Sequence, residues 1–148
     1  KEIENRPWPP YDPVIGTVIA VHATLDVPRE QRAENARRVA EVVAKTGVKV
    51  PEEPVRGAII GVVRVTGYVV KPADILGEPV PDSHPTRSPW FSGPCGWILE
   101  GARRLPRPIP CEGGQKLWRL TDEQRADITA QLGDDGNMTV SVEKGAPA

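Results

Sequence analysis

Prolines limit how this chain can fold more than any other feature, since it has 17 prolines and 14 glycines in 148 residues. Proline fixes φ and has no N–H to donate, so it is excluded from helix interiors and central strands. The stretch "PPYDP" at 9–13 therefore cannot be a helix or an interior strand. Prolines recur over 71–95 with little hydrophobic periodicity, which predicts a long connection. The chain is thus expected to form short elements joined by many turns.

Strands dominate the segments between these breaks. Their β-branched and apolar residues predict four strands, over 14–23, 57–70, 96–105 and 115–120. Gly61 and Gly67 share one face of the second of these strands. Glycines in such positions indicate a bend or a bulge, as a small closed barrel requires.

Two helices complete the predicted elements. Apolar residues at helical spacing predict the first over 28–46, and Gly47 is suited to end it. Thr121 and Gln124 have the T-x-x-Q spacing of a capping box, which begins a second helix that runs to about Leu132. We therefore expect an α+β fold that is mainly β, a small β-barrel with about two helices packed outside.

The composition restricts the classes of partner. The net charge of −1 gives no global attraction for nucleic acid, so any RNA contact needs a local patch that includes Lys1, Arg6 and Arg87. No apolar run approaches the ~20 residues of a membrane span, and no signal-peptide pattern is present. Cys95 and Cys111 lack metal-ligand spacing and are interpreted as reduced thiols of a cytoplasmic protein, although a disulfide between them stays open. We expect no cofactor, no metal and no membrane partner.

The opening stretch "KEIENRPW" concentrates polar chemistry beside an aromatic residue. Lys1, Glu4 and Arg6 would converge if the segment were a helix end that runs into Pro7. A lysine beside a carboxylate can activate water or a substrate amide, and an arginine can hold a phosphate with two hydrogen bonds. Trp8 offers a face on which a base can stack. The alternative is an exposed charge run before a turn.

A second candidate region is "SPWFSGPCGW" at 88–97. Aromatic side chains in loops are platforms for unpaired bases, so Trp90 and Phe91 are candidate binding residues. Trp90 could equally plug the end of a barrel. Trp97 alternates with Leu99 and is predicted to lie in the core. Ser88 could donate to a phosphate, or it could cap a turn.

Four further polar residues lie on predicted strands. Glu100 is a candidate base if it points inward among apolar residues, and an ordinary edge residue if it points outward. Arg64 and Tyr68 share a face of the central strand, which could line a cleft or face solvent. His22 ends an apolar strand and is predicted to be a hydrogen-bonded core histidine, not a metal ligand.

Four segments, taken in order, resemble one known family. "KEIENR" followed by "PWP" resembles the signature of the ASCH domain, a branch of the PUA-like superfamily. That signature is written G-x-K-x-x-E-x-R, and this chain lacks the two residues before Lys1. "VIGTVIAVHA", "GAIIGVVRVTGYV" and "SPWFSGPCGWILE" with "LPRPIPCEGGQKLWRL" are similar to later strands of the family. The resemblance covers Lys1 to about Leu120.

The resemblance implies a PUA-like barrel with a cleft lined by the signature. Family members begin with a strand and a helix before the lysine, so we expect a longer parent protein. The domain would then be an N-terminally incomplete one over 1–133, followed by a flexible tail over 134–148. The family is thought to handle RNA or modified nucleosides. Some relatives are amidohydrolases of acylated cytidine, and another is reported as a ribonuclease.

Three functions remain open. The first is a module that binds RNA or a nucleoside in a basic and aromatic cleft. The second is a small hydrolase that uses Lys1 with Glu4 or Glu100. The amidohydrolases carry K-x-x-T where this chain has Lys1-x-x-Glu4, which removes a hydroxyl and favours binding slightly. The third is a regulator that contacts a protein partner through the 71–95 loop.

Overall fold

The computed structural model describes residues 1–71 and 80–134 and the backbone of 141–145. Strands contain more residues than helices, which confirms the α+β class with a majority of β structure. Closure into a PUA-like barrel stays a prediction. The strands are β1 (Ile3–Arg6), β2 (Val18–Ala23), β3 (Ala58–Val70), β4 (Cys95–Pro110), β5 (Leu117–Arg119) and β6 (Ser141–Gly145). The helices are α1 (Arg29–Thr46) and α2 (Asp122–Leu132), with short 3₁₀ helices at Asp12–Val14 and Pro85–Arg87.

The chain divides into two compact units. The first unit consists of Lys1–Thr17 and Arg64–Gly101, and the second of Val18–Val63 and Ala102–Ala148. The long strands β3 and β4 contribute residues to both units. The prediction of a single domain over 1–133 stays a prediction.

In the first unit the strand order is β1-β4-β3. β1 runs antiparallel to β4, with Ile3 opposite Ile98 and Arg6 opposite Cys95. The end of β3 is joined to the start of β4 where the Lys71 N–H donates to the Pro94 carbonyl oxygen at 2.8 Å. Ile3 and Trp97 are fully buried here, so the placement of Trp97 in the core is confirmed.

In the second unit the strand order is β4-β3-β2-β6-β5. β6 pairs in parallel with β2 and antiparallel with β5. A cluster of buried apolar side chains forms the core of this unit: Val18, Ala20, Ile59, Val62, Leu105, Leu120 and Ile128. Trp118 is partly buried and packs against this cluster.

The C-terminal region differs from the sequence-based expectation. A flexible tail was predicted over 134–148, whereas Ser141–Gly145 forms β6. Residues 135–140 and 146–148 lie outside the described residues. Strand pairing is made by backbone N–H and C=O groups, so a segment with few large apolar residues can still join a sheet beside β2 and β5.

Helix α2 begins at the capping box and helix α1 ends at Gly47, as the sequence predicts. In the capping box of α2, the Gln124 N–H donates to Thr121 Oγ1 at 3.1 Å and the Thr121 N–H donates to Gln124 Oε1 at 3.0 Å. After α1, Gly47 takes the left-handed conformation with φ of 67° and its N–H donates to the Val43 carbonyl oxygen. No helix of the described residues is long and apolar enough to cross a membrane.

His22 is a buried, hydrogen-bonded histidine, as predicted. Its Nε2 lies 3.0 Å from the Cys111 carbonyl oxygen, and only 1% of the residue is exposed. Its ring meets Trp118 edge to face, with 5.5 Å between ring centroids. Among the described residues, no group of three His, Cys, Asp or Glu side chains could hold a metal ion.

The two glycines on one face of β3 have different roles. A Cβ on Gly61 would lie 2.5 Å from the backbone oxygen of Arg103 on β4, a distance that real Cβ atoms do not show. A Cβ on Gly67 would meet only Ile98 Cδ1, at 3.8 Å. Gly61 therefore permits a close approach of β4, whereas Gly67 does not serve that purpose.

We predict that Gly61→Ala destabilises the protein by about 1–3 kcal/mol, because the methyl group meets backbone that cannot move without disturbing the sheet. Gly67→Ala is the matched control on the same strand and should be neutral or slightly stabilising. Urea unfolding of both variants measures the difference. Equal unfolding free energies for the two variants would contradict this account of Gly61.

Candidate functional site

The opening segment forms a strand, so the prediction of a helix end at 1–6 is wrong. β1 pairs with β4 in the register that puts Glu4 opposite Trp97. Alternate residues of a strand share a face, and this brings Glu4 and Arg6 together. Lys1 precedes the strand and reaches the same carboxylate. The predicted convergence of Lys1, Glu4 and Arg6 therefore occurs, but through strand geometry.

Glu4 is the centre of this cluster. The Lys1 ammonium donates to Glu4 Oε2 at 2.6 Å, and Arg6 Nη2 lies 3.4 Å from Glu4 Oε1. The Glu4 side chain is only 8% exposed. A carboxylate with so little contact with water needs partners for its charge, and the two cations supply them. Glu4 is therefore not part of a solvated charge run. With two cationic side chains and one carboxylate, the side chains of the cluster have a formal net charge of +1.

The side chains of Glu2 and Asn5 hold the loop that carries the candidate aromatic residues. Asn5 Nδ2 donates to the Trp90 carbonyl oxygen at 2.7 Å, and Asn5 Oδ1 accepts from the Ser92 N–H at 2.8 Å. Ser88 Oγ donates to Glu2 Oε1. Ser88 Oγ also accepts from the Trp90 N–H at 3.2 Å, which is the turn-capping role left open by the sequence.

The aromatic residues of the first unit divide into core and loop. Trp97 is fully buried, and its Nε1 donates to the Trp8 carbonyl oxygen at 3.0 Å. Trp8, Trp90 and Phe91 are each partly exposed. Trp90 and Phe91 thus lie on a loop tied to β1, where part of each ring remains available for contact with a ligand.

Three predicted site residues do not join this cluster. Glu100 is exposed on β4, which is the outward alternative, so it is not a carboxylate among apolar residues. Arg64 Nη1 donates to the Gly16 carbonyl oxygen at 2.6 Å. Tyr68 is 44% exposed. None of the three is among the described residues that line the two hollows of the first unit.

Two adjoining hollows open on the surface of the first unit, and Arg87 lines both. The first has a volume of about 370 Å³ and is lined by Lys71, Val80, Thr86, Arg87, Phe91 and Ser92. The second has a volume of about 400 Å³. Its walls combine the carboxylates of Glu2 and Asp82 with apolar groups such as Ile3 and Ile98.

Glu2, Asn5 and Lys71 are not among the site residues that the sequence predicts. Each is an ordinary polar residue whose partner lies far away in the chain, such as Trp90 for Asn5. Alternation along β1 would have placed Asn5 on the face opposite Glu4, had the segment been predicted as a strand. A resemblance between the start of the chain and a signature draws attention to the signature positions, not to the residues between them.

The comparisons with known proteins leave the family of this chain as an expectation. No protein-family model matches the sequence, and a search of curated proteins found no significant match.

We predict that Asn5→Ala lowers the free energy of unfolding by about 1–3 kcal/mol, because two hydrogen bonds of ~0.5–1.5 kcal/mol each are lost. The loop at 88–92 should then be cut faster by proteases, since both bonds end on its backbone. Asn35→Ala on α1 is the control, and should leave the free energy unchanged or slightly raised through helix propensity. An unchanged cleavage rate at the loop would contradict the role of Asn5 in holding the loop to β1.

Proposed function

We propose that this chain is an ASCH-type, PUA-like protein whose first unit binds RNA or a modified nucleoside. The observation that carries the proposal is the contact of Lys1 and Arg6 with one buried carboxylate, at 2.6 and 3.4 Å. These are the three positions at which the sequence resembles the family signature. A structural unit with no ligand gains little from burying a carboxylate beside two partly exposed cations, because desolvation offsets most of their attraction.

The loop beside this cluster supplies the aromatic part of the site. Trp90 and Phe91 are partly exposed on a loop that Asn5 fixes to β1. Stacking of a base on an aromatic ring is tolerant of sequence and favours unpaired bases. Arg6 would donate to a phosphate or a carbonyl of the ligand, and Trp8 would add a third aromatic surface. The proposal includes closure of the strands into a PUA-like barrel.

A cytoplasmic location is part of the same proposal. Cys95 and Cys111 are both free thiols, as is typical of proteins in a reducing compartment.

Burial raises the pKa of each thiol. Neither cysteine is therefore a candidate nucleophile, since the thiolate is the reactive form.

A second candidate function is hydrolysis, and the Lys1–Glu4 contact favours it. The contact of the Lys1 ammonium with a poorly solvated carboxylate at 2.6 Å places two groups of the kinds used in acid–base catalysis within reach of one substrate. Glu100 is exposed, so Glu4 remains as the partner of Lys1. The substrates would be those implied by the resemblance, an N4-acylated cytidine or an RNA phosphodiester.

We expect labelled single-stranded RNA to bind with an affinity that falls as salt rises, with a log–log slope of about −0.7 for each phosphate contacted. Arg6→Ala should weaken binding, and Arg87→Ala should weaken binding and also reduce the magnitude of the slope by ~0.7. Arg56→Ala, at an exposed arginine of the second unit, is the control and should change neither. Absence of RNA and nucleoside binding by the wild-type protein, even at low salt, would remove the proposal.

For the hydrolase, we expect N4-acetylcytidine to release acetate and Lys1→Ala to slow the release by ~10²–10⁴-fold, the usual effect of losing an acid–base group. Lys45→Ala, at an exposed lysine of α1, should keep the wild-type rate. Cleavage of a short RNA is measured in parallel. Equal background rates for wild type and Lys1→Ala on both substrates would leave binding as the only function.

A further inference from the structure

The group formed by Lys1, Glu4 and Arg6 is called the signature cluster. The hollow lined by Lys71, Arg87 and Phe91 lies outside it. We call it the Lys71–Arg87 hollow. Thr86 and Ser92 also line it, and its volume is about 370 Å³. Small-molecule sites start at ~300 Å³, so the hollow suits part of a small ligand, such as one nucleotide.

The two cations of this hollow form no ion pair with the described residues. Among the described residues, no carboxylate lies within 4.0 Å of the charged group of Lys71 or of Arg87. This contrasts with Lys1 and Arg6, which share Glu4. Within the described part of the chain, an anion that enters the hollow therefore has no ion-paired carboxylate to displace, and both cations can act on it.

Local contacts orient the guanidinium of Arg87 and hold the backbone of Lys71. Nε and Nη2 of Arg87 donate to the Val80 carbonyl oxygen at 3.4 and 3.2 Å, which leaves Nη1 without a hydrogen bond to the described residues. The backbone of Lys71 is tied to Pro94. Because its guanidinium is already oriented, Arg87 loses little side-chain entropy when it binds an anion.

Phe91 forms an apolar wall beside Lys71. Lys71 Cβ and Phe91 Cζ each lie 3.6 Å from the point where a Cβ on Gly93 would be. The other side of the ring is held against Gly96, where a Cβ would lie 2.8 Å from Phe91 Cδ2. A fixed aromatic ring next to a cation is the combination that recognises a base and its phosphate together.

We propose that the Lys71–Arg87 hollow is a phosphate subsite, so that the ligand of the first unit is a phosphorylated nucleoside and not a free nucleoside. Lys71 Nζ and Arg87 Nη1 donate to the phosphate oxygens, and Phe91 contacts the ribose or base. The neighbouring hollow contains the carboxylates of Glu2 and Asp82, which repel a phosphate and accept hydrogen bonds from a base. This proposal rests on the proposed function and assigns the orientation of the ligand.

The test compares four probes by calorimetry at low salt: cytidine, cytidine 5′-monophosphate, inorganic phosphate and a short single-stranded RNA. We expect the monophosphate to bind on the order of tenfold or more tightly than cytidine, since charge-assisted hydrogen bonds are the strong ones. Lys71→Ala and Arg87→Ala should each remove about tenfold of this preference and leave the affinity for cytidine unchanged. Arg87→Lys should restore part of it, because the positive charge is kept.

Lys49→Ala, at an exposed lysine of the second unit, is the matched control and should bind every probe like wild type. Thermal unfolding of each variant shows whether it is folded. Tight binding of the monophosphate identifies a mononucleotide as the ligand, whereas tight binding of RNA alone identifies a phosphate within a strand. Both results support the subsite.

Two results would overturn the proposal, and they are distinguishable. If wild type binds RNA or cytidine, and Lys71→Ala and Arg87→Ala bind every probe as tightly as wild type does, the subsite is wrong and the proposed function stands. If wild type binds none of the four probes, the proposed function fails and the subsite fails with it.

Discussion

The buried carboxylate of Glu4 is the constraint on which the architecture of the first unit depends. It lies on β1 opposite the fully buried Trp97, where an unpaired charge would be costly. Lys1 and Arg6 must therefore stay beside it, and this fixes both ends of the short strand. A strand of four residues is too short to hold its register by apolar contacts alone. Ion pairing and the burial of Ile3 act together to specify it.

The fixed register has a consequence for the loop at 88–92. Asn5 lies next to Glu4 in sequence but on the other face of β1, so its amide reaches the backbone of Trp90 and Ser92. One short strand thus positions the charged cluster through Glu4 and Arg6 and the aromatic loop through Asn5. The proposed ligand contacts depend on the same backbone, so a change at Glu4 that shifts β1 would also move the loop.

Local signals made much of the fold predictable. The capping box at Thr121, the left-handed Gly47 and the apolar run of β3 depend on neighbouring residues, and each appears where expected. β1 was not predictable, because its four residues carry no periodicity and gain their structure from β4, about 90 positions later in the chain. The orientation of Glu100 was open because either face of a strand at 96–105 could be the one that points inward. Arg87 was expected in a basic patch with Lys1 and Arg6, but its place beside Lys71 could not be found from the sequence, since only the folded chain brings the two to one hollow.

The distribution of paired and unpaired cations decides where a ligand of this unit can place its negative charge. A phosphate at Lys1 and Arg6 would compete with Glu4, which cannot leave its partners without becoming an isolated buried charge. A phosphate near Lys71 and Arg87 meets no ion-paired carboxylate of residues 1–71 and 80–134. The signature cluster is therefore better suited to a neutral polar group, such as a base edge or an amide. Such a group can form hydrogen bonds with Lys1 and Glu4 while their ion pair stays intact. In the proposed complex, the signature cluster would therefore contact a neutral part of the ligand, and the phosphate would lie near Lys71 and Arg87, outside the signature.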